Sequence, residues 1–270
     1  MPVSESEKQH WENQGFLIIP EFFNSADVDK INDCVDALWR ERTRLKLPVE
    51  IDILSGPDAH RSFLFKEAKD EMRDQIYKLN NLFIFVEEVR KMALDAKLRT
   101  ILSDLLGGEP VICNSLNFER GSCQPFHFDT WYMPPPVKDK MVVTSIALED
   151  IDDTNGPLQY YPGSHLIPPY LFSHGRLNVI NEELSNCLSY VDNEIAQRNL
   201  YSKTFSCKKG DVFVWHSQLY HGGSAIQDMN RTRKTLVTHY WRKQDIPAEG
   251  VVEFDEGFCL KKTLRGELSV

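Results

Sequence analysis

His127 and Asp129 stand two residues apart in the aromatic-rich run from Gln124 to Thr130. On a β-strand, side chains alternate faces, so residues i and i+2 project the same way. An imidazole and a carboxylate could then meet one ion from a single strand. With a second histidine from elsewhere they would form a two-histidine, one-carboxylate facial triad, whose open positions suit a non-haem Fe(II) oxygenase. The tripeptide His-x-Asp also arises wherever a histidine packs beside a surface aspartate. Its weight therefore depends on the elements around it.

Several histidines could complete the set. His10 and His60 fall in a helical or loop-like amino half, and His165 and His174 border or enter a long irregular segment. His216, His221 and His239 remain. His216 continues the apolar strand Val212 to Trp215, whereas His221 opens Gly222-Gly223-Ser224, where glycine lets the backbone approach a bound group closely. The pattern favours His221 over His216 by a small margin. Trp131, Tyr132 and Trp215 could line a pocket, but core aromatics are the simpler reading, and His216 and His239 read as packed or supporting residues.

The elements that must position these residues change character near Gly107. Before it the periodicity is helical. Ser4 and Glu7 form a capping box for a short helix ended by Gly15, and Phe16 to Ile19 is a brief buried strand. Asn24 opens a longer helix with Val28, Ile31, Val35 and Leu38 at helical spacing. From Thr43 to about Asn80 the pattern suggests loop and partial helix, and Phe83 to Leu106 returns to helical spacing. Beyond Gly107-Gly108 the period becomes two. Strands are expected at Pro110 to Phe118, Gln124 to Trp131, Met141 to Leu148, Leu158 to Tyr161, Val212 to Trp215 and Lys234 to Trp241. Asn155-Gly156 reads as a tight turn. Residues 166–204 break the alternation, as functional lids and binding segments do.

The sequence thus predicts one domain over residues 1–270, mainly β with amino-terminal helices: a helical support region at 1–108 and a sandwich or barrel core at 109–245, with a lid at 166–204. With 41% apolar and 26% charged residues the composition is that of a soluble globular protein. The net charge of −9, without a cluster of Lys and Arg, argues against nucleic acid as a partner. Six scattered cysteines without a Cys-x-x-Cys pair suggest a reducing, cytoplasmic setting. The amino terminus lacks the apolar core of a signal peptide, and no apolar run is long enough for a bilayer, so no membrane partner is expected.

Five motifs occur in order: His127-Phe128-Asp129; Asn155 to Leu158 with Pro162 to His165; Gly210 to His216; His221 to Ser224; and Arg233 to Leu236. Together they resemble the phytanoyl-CoA dioxygenase family, and the opening Gly15 to Phe23 and the Leu105 to Gly108 helix end are similar to its first elements. The resemblance implies a double-stranded β-helix (a jelly roll, cupin-like) and an Fe(II)- and 2-oxoglutarate-dependent dioxygenase. Such an enzyme consumes O2, releases succinate and CO2, and hydroxylates or otherwise oxidises a small-molecule substrate. It further implies His127, Asp129 and His221 as metal ligands and Arg233 as the grip on the distal carboxylate of 2-oxoglutarate, with Arg231 the alternative. Arg suits that role because its planar fork binds a carboxylate through two hydrogen bonds. Ser224 is a candidate second contact, although the family's serine often falls one residue earlier, at Gly223. Asn114 and Asn117 lie on opposite faces of their strand, and Asn117 is the candidate cosubstrate donor.

Two rivals have different signatures. A halogenase on the same fold replaces the carboxylate ligand with a small residue, which Asp129 disfavours. A non-enzymatic relative or cupin-like binding protein should have lost part of the triad or the arginine, and this chain keeps them all.

Overall fold

The computed structural model describes residues 2–262. Helix α1 (Glu5–Gln14) is opened by Ser4 and Glu7, which satisfy each other's backbone N–H groups, and ends at Gly15 with φ 78°. Strand β1 (Phe16–Ile19) leads to α2 (Ser25–Leu45). There the Asn24 side chain accepts from the Asp27 N–H at 2.9 Å, and the helix buries Val28, Ile31, Val35, Leu38 and Trp39.

Residues 43–80 depart from expectation. Instead of loop and partial helix they contain three strands, β2 (Glu50–Ser55), β3 (Ser62–Leu64) and β4 (Ile76–Asn80). β2 buries Ile51 and Ile53, and Asp52 on its other face is answered across the sheet by Lys78 at 3.4 Å and Asn80 at 3.0 Å. The segments are short, and a register shift between Ile53 and Ser55 interrupts the alternation. Little period-two signal survives in so few residues. The amino-terminal region is therefore sheet as well as helical support.

The helical signal from Phe83 to Leu106 divides into α3 (Glu87–Ala93) and α4 (Ala96–Leu106). Asp95 starts the second helix by accepting from the N–H groups of Lys97 and Leu98. The β-rich half follows with β5 (Pro110–Phe118), β6 (Met141–Ala147) and β7 (Leu158–Tyr160). Helix α5 (Leu184–Gln197) lies inside the irregular segment and precedes β8 (Lys203–Phe205). Then come β9 (Val212–His216), β10 (His221–Gly223) and β11 (Thr235–Arg242), and a last hairpin of β12 (Val251–Phe254) and β13 (Gly257–Leu260).

A large sheet runs β1-β9-β6-β11-β5-β4-β2-β3, and a small one runs β10-β7-β8. Pairing is antiparallel except where β13 meets β5. The arrangement is a double-stranded β-helix with helices against the outer face of the large sheet. Both faces of that sheet are covered, so most residues of its central strands are buried whichever way they point. On β6, Val142 and Ile146 join the helix-side core while Met141 and Val143 face the small sheet; on β9, Val212 and Val214 oppose Phe213 and Trp215 in the same way. No helix among the described residues is long and apolar enough to cross a membrane.

Ile31 is 1% exposed where α2 meets the sheet. Ile31→Ala should cost about 2–5 kcal/mol, as large-to-small changes in packed cores do. Urea unfolding checks this, and a loss below about 1 kcal/mol would show that α2 is loosely docked.

Candidate active site

Gln124 to Trp131 is not the continuous return strand that the alternation suggests. The chain is extended but forms a β-bridge only at His127, and Asp129–Trp131 form a turn of 3-10 helix. Cys123 at φ 48° and Pro125, which lacks an N–H, keep this stretch out of a regular ladder. It passes instead directly over β10. A Cβ on Gly222 would lie 3.0 Å from Gln124 O and Phe126 N, and one on Gly223 would lie 2.7 Å from Ser122 Oγ. The glycines after His221 thus admit the protein's own backbone.

That close approach pairs the two histidines. His127 N–H donates to His221 O at 2.8 Å, and His221 N–H donates to His127 O at 3.1 Å. Phe128, between His127 and Asp129, is extended (φ −105°, ψ 136°), so Asp129 projects to the same side as His127, and its Oδ1 lies 3.8 Å from His127 Nε2 and 3.7 Å from His221 Nε2. The donor atoms of these three buried residues all lie within 4.8 Å of one another. Each imidazole has its Nδ1 beside a carbonyl, His127 on Pro125 O at 2.9 Å and His221 on Leu219 O at 2.8 Å. A carbonyl only accepts, so Nδ1 carries the proton and Nε2 presents its lone pair to the centre. Burial, then the neighbouring His221, pushes the His127 pKa down to about 3, which keeps the ring neutral and able to ligate. Burial alone would raise the Asp129 pKa, but His221 and His239 outweigh it and hold the carboxyl below its ordinary range.

A single cavity runs from this cluster past Leu116 and Val237 to Arg233. Arg233 is 4% exposed and makes no ion pair among the described residues, and its Nε has no partner. Burial pushes its pKa down to about 10, so it still carries its charge at neutral pH. Gly121, at φ 68°, lies flat against the guanidinium: a Cβ there would come within 2.5 Å of Nε. Asn155 is fully buried and does more than turn the chain, since its Nδ2 donates to Thr232 O at 2.8 Å and braces the approach to Arg233. Arg231 points elsewhere, to Asp152 and to Thr154 Oγ1 at 2.8 Å.

The remaining candidates fall outside this cavity. Asn117 pairs in register with Leu236, which pairs in turn with Ile146, and both belong to the helix-side core. Its side chain therefore faces away from the cluster, and it is Asn114, opposite His239, that shares the cavity face. Ser224 has a buried hydroxyl without a partner but is not part of the cavity wall; Ser122, Gln124 and Ser145 are. His216 closes β9 beside His165, with ring centroids 5.5 Å apart.

Asp129 has two supports, His239, which the sequence marks as a packed or supporting residue, and Trp215, which reads there as a core aromatic. Trp215 Nε1 donates to Asp129 Oδ2 at 2.8 Å, and His239 Nε2 lies 3.4 Å from Oδ1. Counting back by twos from His239 through Val237 and Thr235 reaches Arg233, a parity signal already present in the sequence. Nothing comparable marks the Trp215 indole.

A family model described as phytanoyl-CoA dioxygenase matches residues 11–234. Ectoine dioxygenase from Halomonas elongata is 27% identical over 176 residues, covering 62% of this chain and 47% of that protein, so the chain spans about half of that relative's length. L-proline trans-4-hydroxylase from Streptomyces griseoviridis is 24% identical over 264 residues, covering 90% of this chain and 88% of that protein. Among solved structures, the non-haem α-ketoglutarate-dependent carbocyclase SnoK from nogalamycin biosynthesis shares the fold, with a TM-score of 0.67 at 17% identity over 89% of this chain and 84% of that one.

The buried imidazoles set a pH dependence for the metal-free protein. His127 and His216, the latter through burial and its neighbour His165, both have pKa values pushed down to about 3 from an ordinary 6.5. The unfolded chain binds these protons below about pH 6.5 and the folded chain does not, so stability should fall as pH drops from 6.5 toward 3, by about 1.4 kcal/mol per pH unit for each group. Urea unfolding between pH 7.5 and 4.5 measures the slope, and a flat profile would contradict it.

Proposed function

Since the chain belongs to the phytanoyl-CoA dioxygenase family, we propose that it is an Fe(II)- and 2-oxoglutarate-dependent oxygenase that hydroxylates a small molecule. The observation that carries this reading is the joining, in one cavity, of three convergent metal donors and a buried arginine that makes no ion pair among the described residues. An unpaired buried charge is costly unless a ligand completes it. Two imidazoles and a carboxylate suit Fe(II).

His127 Nε2, His221 Nε2 and Asp129 Oδ1 would hold the iron. Arg233 would take the distal carboxylate of 2-oxoglutarate through two parallel hydrogen bonds, with Gln124, Ser122 and Ser145 as polar neighbours along the same wall. The chemistry supplied by bound iron is activation of O2, which couples decarboxylation of the 2-oxo acid to oxidation of a substrate C–H bond, one oxygen atom entering succinate and the other the substrate. The protein's part is to orient both reactants and exclude water. A halogenase is disfavoured because Asp129 fills the position that a halide would need. A binding protein that had lost the iron should also have lost part of the triad or Arg233, and both are present. Relatives named for ectoine and L-proline support a small metabolite, and the scarcity of basic clusters weighs against a coenzyme-A thioester, although a peroxisomal phytanoyl-CoA dioxygenase also matches. Six free cysteines support a reducing compartment such as the cytoplasm.

Residues 166–204 serve in this reading as the cover that sets substrate choice. Phe172, Cys187 and Val191 pack with Phe128, Trp131 and Tyr220, and Val179 N–H donates to Trp131 O at 3.0 Å. The segment therefore rests on both loops that carry the donors.

Supplied with Fe(II), 2-oxoglutarate and air, the protein should release succinate. Arg233→Ala should raise the KM for 2-oxoglutarate by tens-fold or more, since a truncated buried charge pair costs about 2–5 kcal/mol. Were Arg231→Ala to show that loss and Arg233→Ala none, the cosubstrate would sit elsewhere. His221→Ala should abolish iron binding and His216→Ala preserve it; the reverse would move the distal ligand. Changes at Arg176 or Asn178 should impair substrate oxidation while sparing the slow decarboxylation of 2-oxoglutarate without substrate, and equal loss of both activities would assign the segment to the fold.

A further inference from the structure

We propose, on the basis of the iron reading above, that Trp215 is a positioning residue: its indole N–H holds Asp129 to one-oxygen coordination and thereby keeps adjacent metal positions open for 2-oxoglutarate. A carboxylate can bind a cation through one oxygen or through both. Here the two oxygens of Asp129 have different surroundings. Oδ1 faces the two ligand nitrogens at 3.8 and 3.7 Å, while Oδ2 accepts from Trp215 Nε1 at 2.8 Å. Both side chains are buried, Asp129 at 5% and Trp215 at 2% exposure.

The donor is also fixed. Trp215 lies on β9 between β1 and β6, opposite Phe16 and Val143, and its ring packs against Phe213 at 5.6 Å and His221 at 5.2 Å. An indole N–H donates but cannot accept, so it can satisfy a carboxylate oxygen without competing for the metal. Its direction is set by the packing between the two sheets. Without that hydrogen bond Oδ2 would be a buried acceptor with no partner, and the nearest replacement would be the metal itself. Three single-oxygen or single-nitrogen donors leave three positions on a six-coordinate ion, enough for a two-point chelate and O2. A two-oxygen aspartate leaves two, and the chelate competes with it. A tryptophan that merely fills space would contribute to stability alone, and this difference can be measured.

The test replaces Trp215 with β-(3-benzothienyl)alanine, which keeps the ring shape and substitutes sulfur for the N–H, alongside Trp215→Phe. Under anaerobic conditions, Fe(II) affinity, 2-oxoglutarate affinity of the iron-loaded protein and the visible charge-transfer band of the iron–2-oxo acid chelate are measured, with thermal unfolding as the control. The expected result is iron binding and stability close to wild type in the benzothienyl protein, with 2-oxoglutarate bound about 10–100-fold more weakly, the range typical for loss of a partner behind a ligand. The chelate band should be lost or shifted. Chelate binding and spectrum of wild-type strength would overturn the proposal, leaving Trp215 a core residue. Loss of iron itself would also overturn it, because Trp215 would then secure the ligand and not its mode. Wild-type protein run in parallel separates the two levels: no chelate band there defeats the iron reading.

Discussion

The reciprocal backbone pair between His127 and His221 is the contact on which the site depends. Residues separated by most of the jelly roll are held opposite each other by two hydrogen bonds, at 2.8 and 3.1 Å. Their side chains then converge without either loop being long or adjustable. Gly222 and Gly223 permit it, because a side chain at either would collide with the chain crossing above. The Nδ1 contacts to Pro125 O and Leu219 O complete the geometry, each made by a carbonyl two residues before the histidine it orients. Short-range chain geometry thus sets both the ring direction and the tautomer.

The second constraint is electrostatic. A guanidinium buried without an ion pair among the described residues destabilises the free protein, and the fold holds it in place from several sides. Asn155 fixes the Thr232 carbonyl, Arg233 N–H donates to Glu119 O at 2.9 Å, and Gly121 lies against the guanidinium plane. Glu119 is itself anchored away from the cavity by Tyr77 and by Arg73, which reaches on to Asp36 of α2. The amino-terminal helix and strands are therefore mechanically continuous with the strand end that presents the arginine. A preorganised cation of this kind trades stability for ligand affinity.

Much of this was legible in the sequence, for identifiable reasons. Caps at Ser4, Asn24 and Gly107 mark helix ends because they answer local backbone groups, and the period change near Gly107 marks where sheet begins. The three histidine and aspartate positions stand out through motif order. What failed were inferences that required knowing faces and neighbours. β2 to β4 were too short and too mixed to register as strands. His127 and Asp129 flank an extended Phe128, as their spacing suggests, but the expected strand ends there in a 3-10 turn. Asn117 points to the helix side because β5 is covered on both faces, so polarity gave no clue to direction. Trp215 looked like any core aromatic; only the position of Asp129 distinguishes its N–H.

The central claim is that metal and 2-oxo acid share one cavity between the donor cluster and Arg233. The most direct measurement is a crystal structure of the protein grown anaerobically with Mn(II) and 2-oxoglutarate, with the metal located by its anomalous scattering. The result expected is one anomalous peak bonded to His127 Nε2, His221 Nε2 and Asp129 Oδ1, with the distal carboxylate of the 2-oxo acid on the Arg233 guanidinium. A metal bound through His216 or His239 in place of His221, or a carboxylate held by Arg231 with Arg233 still unpaired, would contradict it.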